Sequence, residues 1–367
     1  MSPRVLFVSK PIVPPYHDGT KCLVRDVATH LTRVSPVVMS APNVEPLAPG
    51  VEMVAAYRGA GSFAPALSDN LRAATWLAAR SRAAVWHFVF APNARSSGAG
   101  RMLKRLRRVP VLQTVASPPR EFRAIESLLF GDVVVAQSHW TRERILEAAE
   151  EEGTAPPRVE VIPPPVPELE SRPLAARRKL RQTLDIPAKA PIFVYPGDLE
   201  VSGGAEAVAR AVEPLCAQIP DAVVVFAYRP KTPKAHDVAR DLKARLSPKQ
   251  VRVESELADV LVLIEEARAV LFPVDDLWGK VDLPIVLLES MSLGVPVLAL
   301  DQGPLRDLAG VVKLRDADGL AGAAVNVHQD AAFRAGVIEE QRAGIEARHR
   351  APVVARAYED LYLELAQ

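Results

Sequence analysis

Residues 278–297 read WGKVDLPIVLLESMSLGVPV and form the most informative stretch of the chain. Its pattern predicts a loop, a capped helix and a buried strand in quick succession. Asp282 is the expected N-cap, Pro284 falls in the first turn and Gly294 is a natural end for the helix. Glu289 follows two turns after Asp282, so the two carboxylates are expected on one helix face, about 10 Å apart along the axis. Because the free N–H groups of a helix start attract phosphate, the unit predicts a nucleotide site.

Length and composition limit the class of protein. With 367 residues and 49% hydrophobic composition, the chain is long enough for two α/β domains. The formal charge of +1 argues against a nucleic-acid binder, which needs a concentrated basic surface. Cys22 and Cys216 form neither a disulfide framework nor a zinc motif, so a reducing cytoplasm is the expected location. No uncharged run reaches membrane-spanning length, so the protein is expected to be soluble or to sit on a membrane surface.

Apolar runs of strand length alternate with amphipathic segments of helix length, which predicts an α/β fold with parallel, doubly wound sheets. The predicted strands of a first sheet are residues 5–9, 37–40, 51–56, 85–90, 111–115, 133–137 and 159–162. The predicted strands of a second sheet are residues 192–195, 223–227, 251–254, 270–273 and 295–300. Between them, residues 163–167 read PPPVP, the clearest change of composition in the chain. We expect this run to be an extended linker with few tertiary contacts, because proline cannot donate to a sheet.

The stretch from Val281 to Val297 resembles the donor-binding motif of the family 4 retaining glycosyltransferases, in which two glutamates lie on a helix followed by a Gly-x-Pro-Val strand. Glu289 matches the second glutamate, which by the resemblance accepts hydrogen bonds from the ribose of a nucleotide sugar. Val281 stands in place of the first glutamate, and Asp282 is the nearest carboxylate. Glu289 as a solvated helix residue and Asp282 as a simple cap remain the alternative. Residues assigned with Glu289 to the donor in this stretch are Asp282, Ile285 and Val286.

The resemblance implies the GT-B architecture, in which two Rossmann-like doubly wound domains face each other across a cleft. The expected domains are residues 1–165 for the acceptor, 166–350 for the nucleotide-sugar donor, and a terminal helix over 351–367. In the resembled folds that helix commonly crosses back to the first domain; a helix that caps its own domain fits the sequence equally well. The implied reaction needs no cofactor and no obligatory metal, and a nucleotide diphosphate sugar serves as the donor substrate.

Loops after the predicted strands of the first domain supply further candidates, because ligands bind at the carboxyl ends of strands in such sheets. Gly19 stands where the resembled family places a glycine close to the donor. His17 and Asp18 precede it and are assigned to the acceptor, although an ordinary proline-rich loop with a helix cap explains the same residues. Asn93 and Ser117, which follow the predicted strands 85–90 and 111–115, complete the acceptor set. His87, inside its strand, is expected to be a core histidine, and Ala116 replaces a histidine that many family members carry.

In the second domain, the loop after residues 192–195 is where the family presents an arginine and a lysine to the diphosphate. Asp198 and Gly203 stand at those positions here. The amides of Gly203 and Gly204, at the start of the next predicted helix, are expected to cradle a phosphate instead. Nearby basic residues that replace the lost charge under this hypothesis are Arg229 and Lys231, although two solvated loop cations fit equally well.

The basic run RMLKRLRR at residues 101–108 is compatible with docking on anionic lipid or with a solvated helix that has a core-facing stripe. The leading functional prediction is a cytoplasmic transferase in glycan biosynthesis, with a glycan, a lipid or a small molecule as acceptor and a peripheral contact with the inner membrane face as one option. A non-catalytic protein of the same fold that binds a nucleotide, glycan or protein is the alternative. An epimerase is a third option, but the seven histidines form no motif for proton transfer.

Overall fold

The predicted strands form two parallel β-sheets with helices in the crossovers between them. The computed structural model describes residues 2–16, 18–59, 66–255, 257–277 and 280–367. The chain divides into two units, and each contains one sheet. The first unit comprises Met1–Pro167, residues 280–285 and Arg348–Gln367. The second comprises Glu168–Leu277 and Val286–Ala347.

The sheet of the first unit has seven parallel strands in the order β3-β2-β1-β4-β5-β6-β7. Its strands are β1 (Arg4–Val8), β2 (Ser35–Ser40), β3 (Glu52–Ala55), β4 (Val85–Phe90), β5 (Val111–Val115), β6 (Val133–Ala136) and β7 (Val159–Val161). The helices between them are α1 (Gly19–His30), α2 (Leu67–Arg80), α3 (Ala94–Arg107), α4 (Ile125–Leu128) and α5 (His139–Glu151). The central strands β4, β5 and β6 are buried along nearly their whole length because helices cover both of their faces.

The sheet of the second unit has six parallel strands in the order β10-β9-β8-β11-β12-β13. These strands are β8 (Ile192–Tyr195), β9 (Val223–Tyr228), β10 (Val251–Ser255), β11 (Ala267–Phe272), β12 (Val297–Leu300) and β13 (Val312–Leu314). The helices are α6 (Leu174–Thr183), α7 (Gly204–Gln218), α8 (Lys234–Arg245), α9 (Val260–Glu265), α10 (Ile285–Ser292), α11 (Leu320–Gln329) and α12 (Ala331–Gly344). Short 3₁₀ turns occupy Gly303–Asp307 and Ala317–Gly319, and a π-helical turn occupies Ile345–His349. The three-residue strand β13 has no counterpart among the predicted strands.

The terminal helix α13 (Ala351–Leu365) packs on α1 in the first unit and closes its core. Two fully buried tyrosines of α13 reach the centre of the sheet. The Tyr362 hydroxyl is 2.7 Å from Nδ1 of His87, and His87 Nε2 is 2.7 Å from the Thr114 hydroxyl, which is 3.1 Å from the Tyr358 hydroxyl. Burial lowers the pKa of His87 to about 3, so the imidazole is neutral at pH 7. The prediction that His87 is a core histidine is confirmed.

The proline run between the units does not behave as expected. Val166 is fully buried and forms a parallel bridge with Arg350, in which the Val166 amide donates to the His349 carbonyl at 2.7 Å. The His349 ring donates from Nδ1 to the Pro164 carbonyl at 2.9 Å. The prediction of few tertiary contacts for this run is therefore wrong, because its polar backbone groups pair with the returning chain. The boundaries at 165/166 and 350/351 stay predictions about which parts fold independently.

Candidate functional site

The carboxyl ends of β8 and β11 form the point where the strand order of the second unit changes direction. In open α/β sheets, ligands bind in the crevice that opens at such a point. The loop after β8 leads into α7, and the loop after β11 leads into α10. These two loops carry most of the residues that the sequence assigned to the donor, together with three carboxylates that shape the loops.

Asp198 closes the loop after β8 on itself. Its side chain is 1% exposed, and Oδ1 accepts hydrogen bonds from the amides of Val201 and Ser202, both at 3.2 Å. Lys231 Nζ lies 3.5 Å from Asp198 Oδ2. The Asp198 carboxylate is thus a structural acceptor, and its charge is balanced by Lys231, the lysine predicted to serve the diphosphate.

Glu200 ties the same loop to the turn after β9. Its Oε1 atom accepts hydrogen bonds from the amides of Lys231 at 2.9 Å and Thr232 at 2.8 Å. Arg229, in the same turn, has an exposed side chain. The turn therefore brings both predicted cations to the end of β9, with the ammonium group of Lys231 directed at Asp198.

Gly203 gives its amide to a carboxylate of the neighbouring loop. The Gly203 N–H donates to Asp275 Oδ1 at 2.7 Å, at the start of α7. A Cβ atom on Gly203 would lie 2.7 Å from Asp275 Oδ2, so the close approach of Asp275 requires glycine here. Gly204 is buried, and a Cβ there would lie 2.9 Å from the Tyr195 hydroxyl. The amide expected to cradle a phosphate is thus occupied by an internal anion, and Gly204 serves close packing of α7 on β8.

Asp275 and Glu200 were not among the residues singled out from the sequence. The signal for Asp275 was its position, since it follows the apolar strand β11 within three residues. Carboxylates at strand ends of a doubly wound sheet face the ligand crevice. The hydrogen bonds of Asp275 and Glu200 join loops that lie far apart in sequence, and no local sequence pattern predicts such bonds.

Glu289 lies on α10 with a partly exposed side chain. The helix begins at Ile285, and the expected end is confirmed at Gly294, which has a φ of +75°. There the amide of Gly294 donates to Met291 and that of Val295 donates to Ser290, which satisfies the last carbonyls of the helix. Ile285 is buried and Val286 is partly exposed in the first turn.

Asp282 is not the N-cap of α10, because the helix starts three residues later. Its carboxylate is fully buried in the first unit, where Ser138 Oγ donates to Oδ2 at 2.8 Å and Thr141 Oγ1 donates to Oδ1 at 2.7 Å. Ser138 is itself the N-cap of α5. The expectation that Asp282 and Glu289 share one helix face is therefore wrong, since two hydroxyl groups of α5 hold Asp282.

Val281 packs on the start of α1. A Cβ atom on Gly19 would lie 2.4 Å from Val281 Cγ1. Asp18 is the N-cap of α1: it accepts from the amides of Thr20 at 3.0 Å and Lys21 at 3.3 Å. Lys10 Nζ is 2.7 Å from the same carboxylate. The start of α1 thus carries an internal carboxylate, and the glycine contacts an apolar side chain of its own unit.

The other residues assigned to the acceptor are Asn93, Ser117 and His17. Asn93 is the exposed N-cap of α3 and accepts from the Ser96 amide at 3.0 Å. Ser117 follows β5 and is 9% exposed. His17 lies outside the described residues. Throughout the described ranges, His, Cys, Asp and Glu side chains form no group of three or more that could hold a metal ion.

Comparison with known proteins identifies the second unit most directly. Residues 190–330 match the family model described as "Glycosyl transferases group 1". This range starts before β8, ends near the start of α12, and includes Asp198, Asp275 and Glu289. No curated protein gives a significant sequence match.

Solved structures match the whole chain. The Anabaena protein Alr3699/HepE in complex with UDP-glucose is 15% identical, with a TM-score of 0.73 over 99% of this chain and 100% of that chain. An α,α-trehalose 6-phosphate synthase from Burkholderia multivorans is also 15% identical, with a TM-score of 0.74 over 100% and 97%. The N-terminal domain of trehalose-6-phosphate phosphatase from Candida albicans is 10% identical, with a TM-score of 0.75 over 100% and 98%. The predicted fold class is confirmed as α/β with the two Rossmann-like sheets of GT-B structures.

Proposed function

We propose that this protein transfers a sugar from a nucleotide diphosphate sugar to a hydroxyl group, with retention at the anomeric carbon. The observation that carries the proposal is the family match over residues 190–330, which includes helix α10 with Glu289 and the turn into β12. The fold shared with structures that hold UDP and UDP-glucose supports the choice of donor. The acceptor is a glycan, a lipid or a small molecule.

Glu289 is the proposed anchor of the donor. Its carboxylate accepts hydrogen bonds from the two ribose hydroxyls, and Ile285 with Val286 place the first turn of α10 beside the nucleotide. A departing diphosphate gains negative charge, which positive groups and helix N-termini stabilise. We assign that stabilisation to Arg229 and Lys231, with Lys231 already close to Asp198.

Glycine amides are the second part of the proposed donor site. Gly203 and Gly204 at the start of α7, and Gly19 at the start of α1, are positions where backbone can approach a phosphate or a sugar. For Gly203 to bind phosphate, Asp275 must release its amide. Asp282, the other carboxylate first assigned to the donor, bonds Ser138 and Thr141 within the first unit, so we leave it out of the proposed donor contacts. We assign the acceptor to the first unit, near Asp18, Asn93 and Ser117, with His17 retained as a candidate.

A non-catalytic role is the second candidate, and the acidic loops favour it. Asp198 and Asp275 together accept from three successive amides, those of residues 201–203, where an active relative is expected to hold its diphosphate. A protein with this loop can bind a glycan, a nucleoside or a protein partner while the amides of residues 201–203 keep their hydrogen bonds to Asp198 and Asp275. The two candidates differ in whether a diphosphate binds at all.

A thermal-shift screen with UDP, other nucleoside diphosphates and their sugars distinguishes the candidates. A ligand at 100 times its Kd stabilises the folded state by about 2.7 kcal/mol. Stabilisation by a nucleotide sugar, accompanied by its slow hydrolysis or transfer, supports the transferase. Stabilisation by glycans alone supports the binding protein, and a complete absence of nucleotide binding refutes the transferase.

Two variants test the assignment of the ribose contact. Glu289→Ala should weaken binding of the identified nucleotide by about 1–3 kcal/mol, the usual scale for a charge-assisted hydrogen bond. Glu339→Ala removes an exposed carboxylate of the same unit on α12 and should leave the affinity unchanged. Equal affinities of the two variants would remove Glu289 from the site.

A further inference from the structure

The outer surface of helices α2 and α3 carries an unusual concentration of exposed apolar side chains. Of the seven large apolar residues exposed in the described part of the chain, four lie on these two helices. Leu67 and Leu71 on α2 are 76% and 62% exposed, and Met102 and Leu106 on α3 are 65% and 66% exposed. Single exposed apolar residues are common, whereas four on neighbouring helices indicate a contact surface.

These side chains point away from the sheet on the same side of the first unit. The opposite faces of both helices pack into one core cluster, through Ala73 and Leu77 of α2 and Leu103 of α3. Arg107 joins the two helices, because its guanidinium donates to the carbonyls of Ala78 at 2.6 Å and Ser81 at 2.8 Å. Helices α2 and α3 are therefore neighbours that cover the same side of the sheet. We call their outward faces, which carry the four apolar residues, the α2–α3 surface.

Positive charge is concentrated on the same two helices. Together α2 and α3 contain seven basic residues and one acidic residue, although the whole chain has a formal charge of only +1. Three of the basic residues hold the fold, since Arg101 and Lys104 reach carbonyls at the end of α4 and Arg107 reaches α2. Arg105 and, just after the helix, Arg108 have exposed side chains beside Met102 and Leu106. Apolar side chains flanked by arginines match the chemistry of an anionic lipid surface, with phosphate outside and acyl chains inside.

We propose that the α2–α3 surface docks on anionic lipid bilayers. Leu67, Leu71, Met102 and Leu106 enter the boundary between headgroups and acyl chains, and Arg105 with Arg108 contact lipid phosphates. None of the helices in the described residues has both the length and the apolar composition needed to cross a membrane. When the protein is attached through this surface, it lies on the bilayer. This attachment does not depend on whether the protein transfers sugar.

Helix α6 provides an internal comparison. It is also rich in basic residues and has an exposed apolar side chain, Leu174, at 52%. Two of its basic residues are paired, because Arg181 lies 2.5 Å from Glu266 and Arg177 lies 3.7 Å from Glu265. Leu174 is the one large apolar side chain exposed on α6. A single exposed leucine should not be enough for docking, which makes Leu174 a control for the four residues on α2 and α3.

Co-sedimentation of the full chain with phosphatidylcholine vesicles, with and without phosphatidylglycerol, tests the proposal. We expect binding only to the vesicles that contain phosphatidylglycerol, and weaker binding at high salt. Met102→Gln with Leu106→Gln, and separately Arg105→Gln with Arg108→Gln, should each lower the partition coefficient about tenfold or more. Leu174→Gln should leave it unchanged. An unchanged thermal midpoint will show that each variant is folded.

Three outcomes would overturn the proposal. The first is equal binding of the wild-type chain to neutral and anionic vesicles, or binding to neither. The second is loss of vesicle binding in the arginine variant but not in the Met102 and Leu106 variant, together with an affinity of the wild-type chain for heparin or RNA equal to its affinity for anionic vesicles. That result would indicate a generic polyanion contact. The third is a dimer in solution that the Met102 and Leu106 changes convert to a monomer without any effect on lipid binding, which assigns the surface to a second copy of the chain.

Discussion

Replacement of Asp275 by asparagine should strengthen the binding of a nucleoside diphosphate. The carboxylate accepts the Gly203 amide at 2.7 Å, so a phosphate oxygen that binds the same amide comes within about 4 Å of it. Two unit charges at that separation repel each other by about 4 kcal/mol at an effective dielectric of 20. Asp275 is exposed, and solvent screening reduces this value to about 1 kcal/mol. The Kd for UDP should therefore fall about fivefold, at about 1.4 kcal/mol for each factor of ten.

Isothermal titration of UDP into the wild-type chain, Asp275→Asn and Asp237→Asn measures the effect. Asp237 is an exposed carboxylate on α8 that pairs with Arg240, so its replacement changes the net charge of the second unit equally. Only the Asp275 variant should gain affinity, and the gain should shrink at high salt. An unchanged Kd in Asp275→Asn, or an equal gain in both variants, would show that Asp275 does not compete with phosphate for Gly203.

Three further predictions concern the first unit. Gly19→Ala should lower the free energy of unfolding, measured in urea titrations, by about 1–3 kcal/mol, because the new Cβ would clash with Val281. Adding Val281→Ala should recover part of this loss, and no recovery would show that the strain lies elsewhere. Asp282→Ala should cost about 2–4 kcal/mol, since two buried hydroxyl donors lose a charged acceptor, whereas a cost below about 0.5 kcal/mol would show that Asp282 is hydrated. Burial lowers the pKa of His349 to about 4 from 6.5, so the unfolded chain binds a proton between these pH values that the folded chain does not. Stability should therefore fall by about 2 kcal/mol between pH 7 and pH 5 because of His349, and the buried His87 should add a fall of similar size. His349→Gln should remove about half of the total slope, and an equal slope in the variant would refute the assignment.

The ends of the predicted strands agree with the observed ones to within three residues because both sheets are parallel and buried on both faces. Such strands are mostly apolar runs, which a sequence displays directly. β13 was missed because it is short and has the exposed Lys313 at its centre, so it forms no apolar run. The end of α10 at Gly294 was predictable because a positive φ favours glycine. The start of α10 was misplaced because aspartate is a common N-cap residue, but Asp282 lies three residues before the first residue of the helix.

The candidate site was predictable in position but not in chemistry. Doubly wound topology places loops at the carboxyl ends of strands, and the resemblance named the residues at those ends. The partners of those residues depend on contacts between loops distant in sequence. Asp275 with Gly203 is one such contact, and Asp282 with Ser138 is another. Both pairs join segments whose proximity only the folded chain reveals.

The division of the chain has a consequence for biosynthesis. The first unit contains strands β1 to β7, yet Asp282 and helix α13, which are also parts of its core, are synthesised after residues 168–277. Until α13 is made, His87 and Thr114 lack the tyrosine hydroxyls that they bond in the finished protein. The nascent sheet of the first unit therefore remains incomplete, with one apolar face uncovered, while residues 168–277 are synthesised and become free to fold. In this chain, vectorial synthesis completes the first unit after most of the second unit, and the incomplete sheet is the species that a chaperone would hold.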